Sequence, residues 1–167
     1  AKATKSEYLY NKSPELIEAE QNQAIVLRIA LEFPEILNHP IYFEQFSHFE
    51  FTNVKIKRLQ QHIINVANNG SELNKEVLLQ ELEQFNIDGT IKLIFERTSV
   101  LNSQLNNGKS AKTVWNNIVL REELNVLQRE RIEARLGGDF DLEERLIEQI
   151  EQIESNIREM QMEFIQK

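Results

Sequence analysis

The chain is predicted to be all-α: a compact helical bundle followed by a long helix and a C-terminal helical hairpin. Three observations carry that expectation. Leu146, Ile150, Ile153, Ile157, Met160 and Phe164 recur in steps of four and three, the seam by which one helix lies along another. Five glycines and three prolines in 167 residues are too few for a turn-rich β fold. No window alternates with period two for long enough to make a strand.

Residues 1–12 are polar and lack a period, and are read as the end of a linker. The bundle is expected over 13–110 and the long helix with its hairpin over 111–167. A chain that opens on Ala1 rather than Met is read as a piece of a longer protein. Ser13-Pro14-Glu15 starts the first helix: Ser caps free N–H groups, Pro fits the first turn, and Glu suits the positive helix end. This helix runs to about Glu32 with Leu16, Ile17, Ala24, Leu27 and Leu31 along one side, and Pro34 sets a boundary at Phe33.

A short helical piece over 34–38 ends before Pro40, and residues 41–51, with four phenylalanines and a tyrosine, are expected to form a packed connector. Thr52 or Asn53 caps a third helix that ends near Asn69, burying Val54, Leu59, Ile63, Ile64 and Val66. Asn69-Gly70-Ser71 stops it in a turn. A fourth helix over 74–85 turns Val77, Leu78, Leu82 and Phe85 inward, and residues 86–89 make the next turn. A fifth, over 90–101, contributes Ile91, Leu93, Ile94, Phe95 and Leu101. A polar loop over 102–109 leads to the long sixth helix, 111–136. Gly137-Gly138-Asp139 breaks the chain before the second arm, from about Leu142 to the end. Asp141 and Glu144, three apart, are expected to cap that arm as a carboxylate version of the capping box.

Hydrophobic content of 41% with 28% charged residues is ordinary for a globular chain. The net charge is −8, and residues 121–167 hold thirteen Asp and Glu against seven Lys and Arg, a net of −6. Phosphate backbones select positive surface, so direct nucleic-acid binding is not expected; a neutral or basic protein surface suits the hairpin better. With no cysteine, neither disulfides nor a thiolate zinc site can form, which fits a reducing cytoplasmic setting. The longest apolar stretch, residues 24–31, is interrupted by Arg28 and too short to span a bilayer.

Chemical motifs are sparse. Gly108-Lys109-Ser110 resembles the tail of a phosphate-binding loop, but Ser103 stands where the first glycine belongs and no strand precedes it. Glu35 with His39, and Glu44 with His48, are four apart; Pro40 breaks the segment, and di-iron bundles space Glu and His by three. Together with His62, these histidines make no expected zinc site. Glu122, Glu123, Glu143 and Glu144 lack the walls that drive two carboxyl pKa values apart. No catalytic residue, metal or cofactor is expected. Trp115 is assigned to packing near the start of the long helix. Phe140, Ile147, Met162 and Ile165 fall off the heptad seam and are the candidates for a partner surface.

The layout resembles the C-terminal helicase-binding domain of bacterial primases. The matching residues are Ala24-Ile25-Val26-Leu27-Arg28 with Phe33-Pro34-Glu35-Ile36-Leu37, and above all residues 129–146, reading RERIEARLGGDFDLEERL. The resemblance spans the chain from Ser13 onward. It implies a domain without chemistry of its own that anchors primase to the N-terminal collar of the hexameric replicative helicase, the hairpin carrying affinity and the bundle biasing helicase conformation. The N-terminal domain of that helicase has a similar fold, and Glu18-Ala19-Glu20-Gln21 resembles its opening motif; the EERL-bearing second arm favours primase. A self-associating structural protein and a metal or nucleotide enzyme are the alternatives from other classes.

Overall fold

The computed structural model describes the backbone of residues 14–70 and 72–165, and the side chains of residues 18–70, 72–160 and 162. The expected linker 1–12, the Ser13 cap, the Leu16 and Ile17 side chains and Ser71 lie outside the described residues. Within them the chain is all-α, with seven α-helices and no strand. It divides into two compact units, Ala1–Gly108 and Lys109–Lys167.

In the first unit α1 (Pro14–Glu32) leads through a 3-10 helix (Pro34–Asn38) into α2 (Pro40–His48), α3 (Val54–Ala67), α4 (Lys75–Leu82) and α5 (Asp88–Arg97). A second 3-10 turn, Ser99–Leu101, follows. α1 packs against the first 3-10 helix, α4 and α5, while α3 closes on α4 and α5. The expectation of a single apolar side on α1 is incomplete. Ala24, Val26, Leu27, Ile29, Ala30 and Leu31 are all at most 1% exposed, and Asn22, Gln23 and Arg28 are buried with them. α1 is therefore the central helix, wrapped on every side over residues 22–31, and an apolar stripe on one face would not satisfy it.

Residues 41–51 are not a connector. Pro40 opens α2 at its first turn, where the missing N–H costs nothing and the fixed φ suits the helix. The helix delivers Phe46 to the core, and Phe51 packs edge-on to it at 6.4 Å. Asn53, not Thr52, caps α3: its side chain accepts from the N–H groups of Lys55 at 2.9 Å and Ile56 at 3.3 Å. The buried face of α3 is Ile56, Leu59, Gln60, Ile63 and Val66. Val54, expected inside, is 71% exposed, because the first helical residue lies off that face, and Ile64 is only half-buried. Asn74 caps α4 through Val77 N–H at 2.8 Å, and Leu78 and Leu82 point inward; Val77 and Phe85 are half-buried. α5 starts two residues earlier than expected and stops at Arg97; Ile94 is buried, whereas Leu93 is partly exposed.

Polar side chains from the core helices close the loops. Gln60 donates to the carbonyls of Phe46 at 2.9 Å and Phe49 at 3.0 Å, satisfying the C-terminal end of α2. Asn38 pairs in both directions with the Leu73 backbone, at 3.1 and 2.9 Å, and fixes the approach to α4. The Arg28 guanidinium, 4% exposed, donates to the Thr98 carbonyl at 2.6 Å and its hydroxyl at 3.3 Å. Its Nε faces Glu32 at 3.4 Å, and its Cζ lies 5.2 Å from the centre of the Phe95 ring. Gln21 adds a bond to the Arg97 carbonyl at 3.1 Å. Thus α1 supplies both a charge and an amide to the carbonyl end of α5.

Replacing Arg28 by Ala removes the buried cation's bonds to Thr98 and Glu32, leaving the Thr98 carbonyl only the Leu101 N–H, an expected loss of about 2–4 kcal/mol of unfolding free energy. Arg28→Met keeps the apolar stem and should lose less. Urea unfolding midpoints of the two variants measure the difference.

Candidate interaction surface

The second unit is a helical hairpin of α6 (Gly108–Leu136) and α7 (Phe140–Ile165). Its reversal is held by local bonds among residues 134–143. Gly138 takes φ +74°, the left-handed conformation that costs a side chain strain and glycine none. Gly138 N–H donates to the Arg135 carbonyl at 3.2 Å, and Asp139 N–H to the Ala134 carbonyl at 2.9 Å. These two bonds make a Schellman motif that satisfies the end of α6. Asp139 then serves the next helix, its Oδ1 accepting from Leu142 N–H at 3.2 Å and its carbonyl from Glu143 N–H at 3.1 Å.

The expected Asp141–Glu144 capping box is corrected by this arrangement. α7 begins at Phe140, so Asp141 sits inside the first turn, where the helix dipole favours a carboxylate. The cap belongs to Asp139, one position ahead of the helix.

Along α7 the seam residues Leu146, Ile150 and Ile157 are buried, facing inward with Ala134 of α6. Ile153 and Met160 are half-buried, and the Phe164 side chain lies outside the described residues. Near the start of α6, Ala111, Trp115 and Ile118 are buried, so Trp115 is no exposed anchor.

Of the candidate partner residues, Phe140 is 69% and Met162 60% exposed. Ile147 is half-buried, and the Ile165 side chain lies outside the described residues. Phe140 sits at the tip; Met162 lies six turns further along α7, so the four residues do not gather into one patch. Sequence reasoning missed two further exposed apolar side chains toward the same turn. Ile132 and Leu136, at the end of α6, are 58% and 83% exposed. The tip thus combines three exposed apolar side chains with a reversal fixed by backbone bonds.

The other motifs take the following places. Gly108-Lys109-Ser110 opens α6 after a coil segment, and among the described residues no strand precedes it. His48 Nδ1 lies 2.7 Å from the Glu44 backbone carbonyl, which uses the pair for local structure rather than for a carboxylate–imidazole site. His39 meets Tyr42 edge-on at 5.8 Å, and His62 stacks on Phe85 at 3.7 Å. Among the described residues no group of three His, Cys, Asp or Glu is placed to hold a metal ion. No helix there is long and apolar enough to cross a membrane.

Comparison with protein-family models, with curated proteins and with solved structures gave no match.

Gly138→Ala meets open space around the new Cβ, so its effect isolates the backbone strain of φ +74°. A loss of about 1 kcal/mol is expected, and Asp139→Ala should cost a similar amount through the lost cap. Thermal unfolding followed by circular dichroism reads both.

Proposed function

We propose that this chain is a non-catalytic docking domain of a bacterial primase, holding the primer-synthesising part of that enzyme to the N-terminal collar of the hexameric replicative helicase. The observation that carries the reading is the hairpin tip, where Leu136 and Phe140 stand exposed on either side of a turn that backbone bonds hold rigid. Exposed apolar residues on a preorganised element lose little entropy on binding, and large side chains in that setting dominate interface energetics. The resemblance of residues 129–146 to the helicase-binding domain of primases supplies the partner, since this stretch forms the tip itself. The net charge of −6 over residues 121–167 supports a protein partner over a phosphate backbone.

In this reading the hairpin supplies most of the affinity and the bundle acts on the helicase once docked. Chemistry, including any metal, belongs to other parts of the primase. Localisation is cytoplasmic, where replication proteins of this kind work.

The test is binding of the full chain to the hexameric replicative helicase of the same organism. Leu136→Glu with Phe140→Glu places two charges at the tip while leaving the buried seam intact. The pair should weaken binding by about 100-fold or more, with unchanged helicity. Wild-type affinity in this variant would defeat the reading. So would a concentration-dependent dimer in light scattering that the same variant dissolves, since the tip would then serve a second copy.

A further inference from the structure

We propose that Asn69 is a site of spontaneous deamidation selected by the fold, while Asn107, in the same Asn-Gly dipeptide, is protected. The reaction needs two things of the main chain. The glycine nitrogen must reach the side-chain carbonyl carbon of the preceding asparagine, and both residues must be free to rotate into the required five-membered ring. The Gly70 nitrogen forms the new bond to that carbon as its N–H proton is lost to water. The bond from that carbon to the amide nitrogen breaks, and ammonia leaves. Water then opens the cyclic imide at either carbonyl, giving aspartate or isoaspartate, so that the net change consumes one water and releases one ammonia without oxidation or reduction.

Both dipeptides are chemically primed, since glycine places no side chain in the path of attack; their settings differ. Asn69 lies beyond the end of α3, exposed, with its own N–H bonded to the Val66 carbonyl at 3.2 Å. Among the described residues no hydrogen bond holds its side chain or the Gly70 N–H. Gly70 has φ +82°, and nothing lies within 4 Å of where a Cβ would stand. Gly108, by contrast, is the first residue of the 29-residue helix α6, in helical geometry, and Asn107, though exposed, already takes part in an interaction. Closing the ring there means unwinding the start of a long helix.

The product has a physical cost. It adds a negative charge to a chain already at −8, next to the carbonyl end of α3 where the helix dipole disfavours it. Isoaspartate also lengthens the main chain by a methylene directly ahead of the positive-φ glycine. Asn69 is therefore the position at which ageing of this domain begins, independently of what the hairpin binds.

The experiment is incubation of the full chain at mildly alkaline pH, folded and in concentrated urea, followed by peptide mass analysis. In the folded chain the peptide with Asn69 should convert several-fold faster than the one with Asn107. In urea, where fold no longer distinguishes them, the two rates should converge. Equal rates in the folded chain, faster loss at Asn107, or no conversion at either would overturn the proposal. Asn69→Gln, which lengthens the ring to be closed, should remove the early acidic species seen by isoelectric focusing; persistence of that species at the wild-type rate would also overturn it.

Discussion

A helix buried on all sides can hold a charge only if that charge is paired, and in α1 the charge of Arg28 is paired with the end of another helix. Its guanidinium reaches the Thr98 carbonyl at 2.6 Å, with Glu32 behind it and the Phe95 ring beside it. The carbonyls at the close of α5 have no partners within their own helix, and a buried helix end without partners is costly. α1 and α5 therefore solve each other's problem. The same device recurs in neutral form where Gln60 closes α2 and Asn38 holds the approach to α4. The loops of the first unit are pinned by core helices, which lets short segments join helices without long ordered turns.

This arrangement explains which parts of the fold were legible in sequence. Elements announced by their ends could be read directly: Pro14 at the start of α1 and the paired glycines after α6. Those whose polar residues turn inward could not. Arg28 reads as an interruption of an apolar run and Gln60 as surface, because a pattern of hydrophobicity does not record a partner seventy or fourteen residues away. Pro40 reads as a breaker although it opens α2, since the same missing N–H forbids a helix interior and suits a helix start.

At the candidate surface the limit was of another kind. Phe140 was visible as an apolar residue off the seam, but the seam was traced on α7 alone. Ile132 and Leu136 belong to the other arm, so a seam traced on one helix could not show their exposure. The cap was misplaced for a related reason. Four carboxylates crowd residues 139–144, and the one that fits a familiar pattern, Asp141, is not the one that precedes the first helical residue.

The tight reversal has a consequence for how the second unit forms. Ala134, Arg135, Gly138 and Asp139 end one helix and start the next through bonds that span at most five positions. Structures dominated by such local contacts fold quickly, since little chain entropy is lost before the first contacts form. The hairpin can zip outward from its tip on a timescale of about microseconds. The second unit thus carries a turn that needs no other part of the sequence to form.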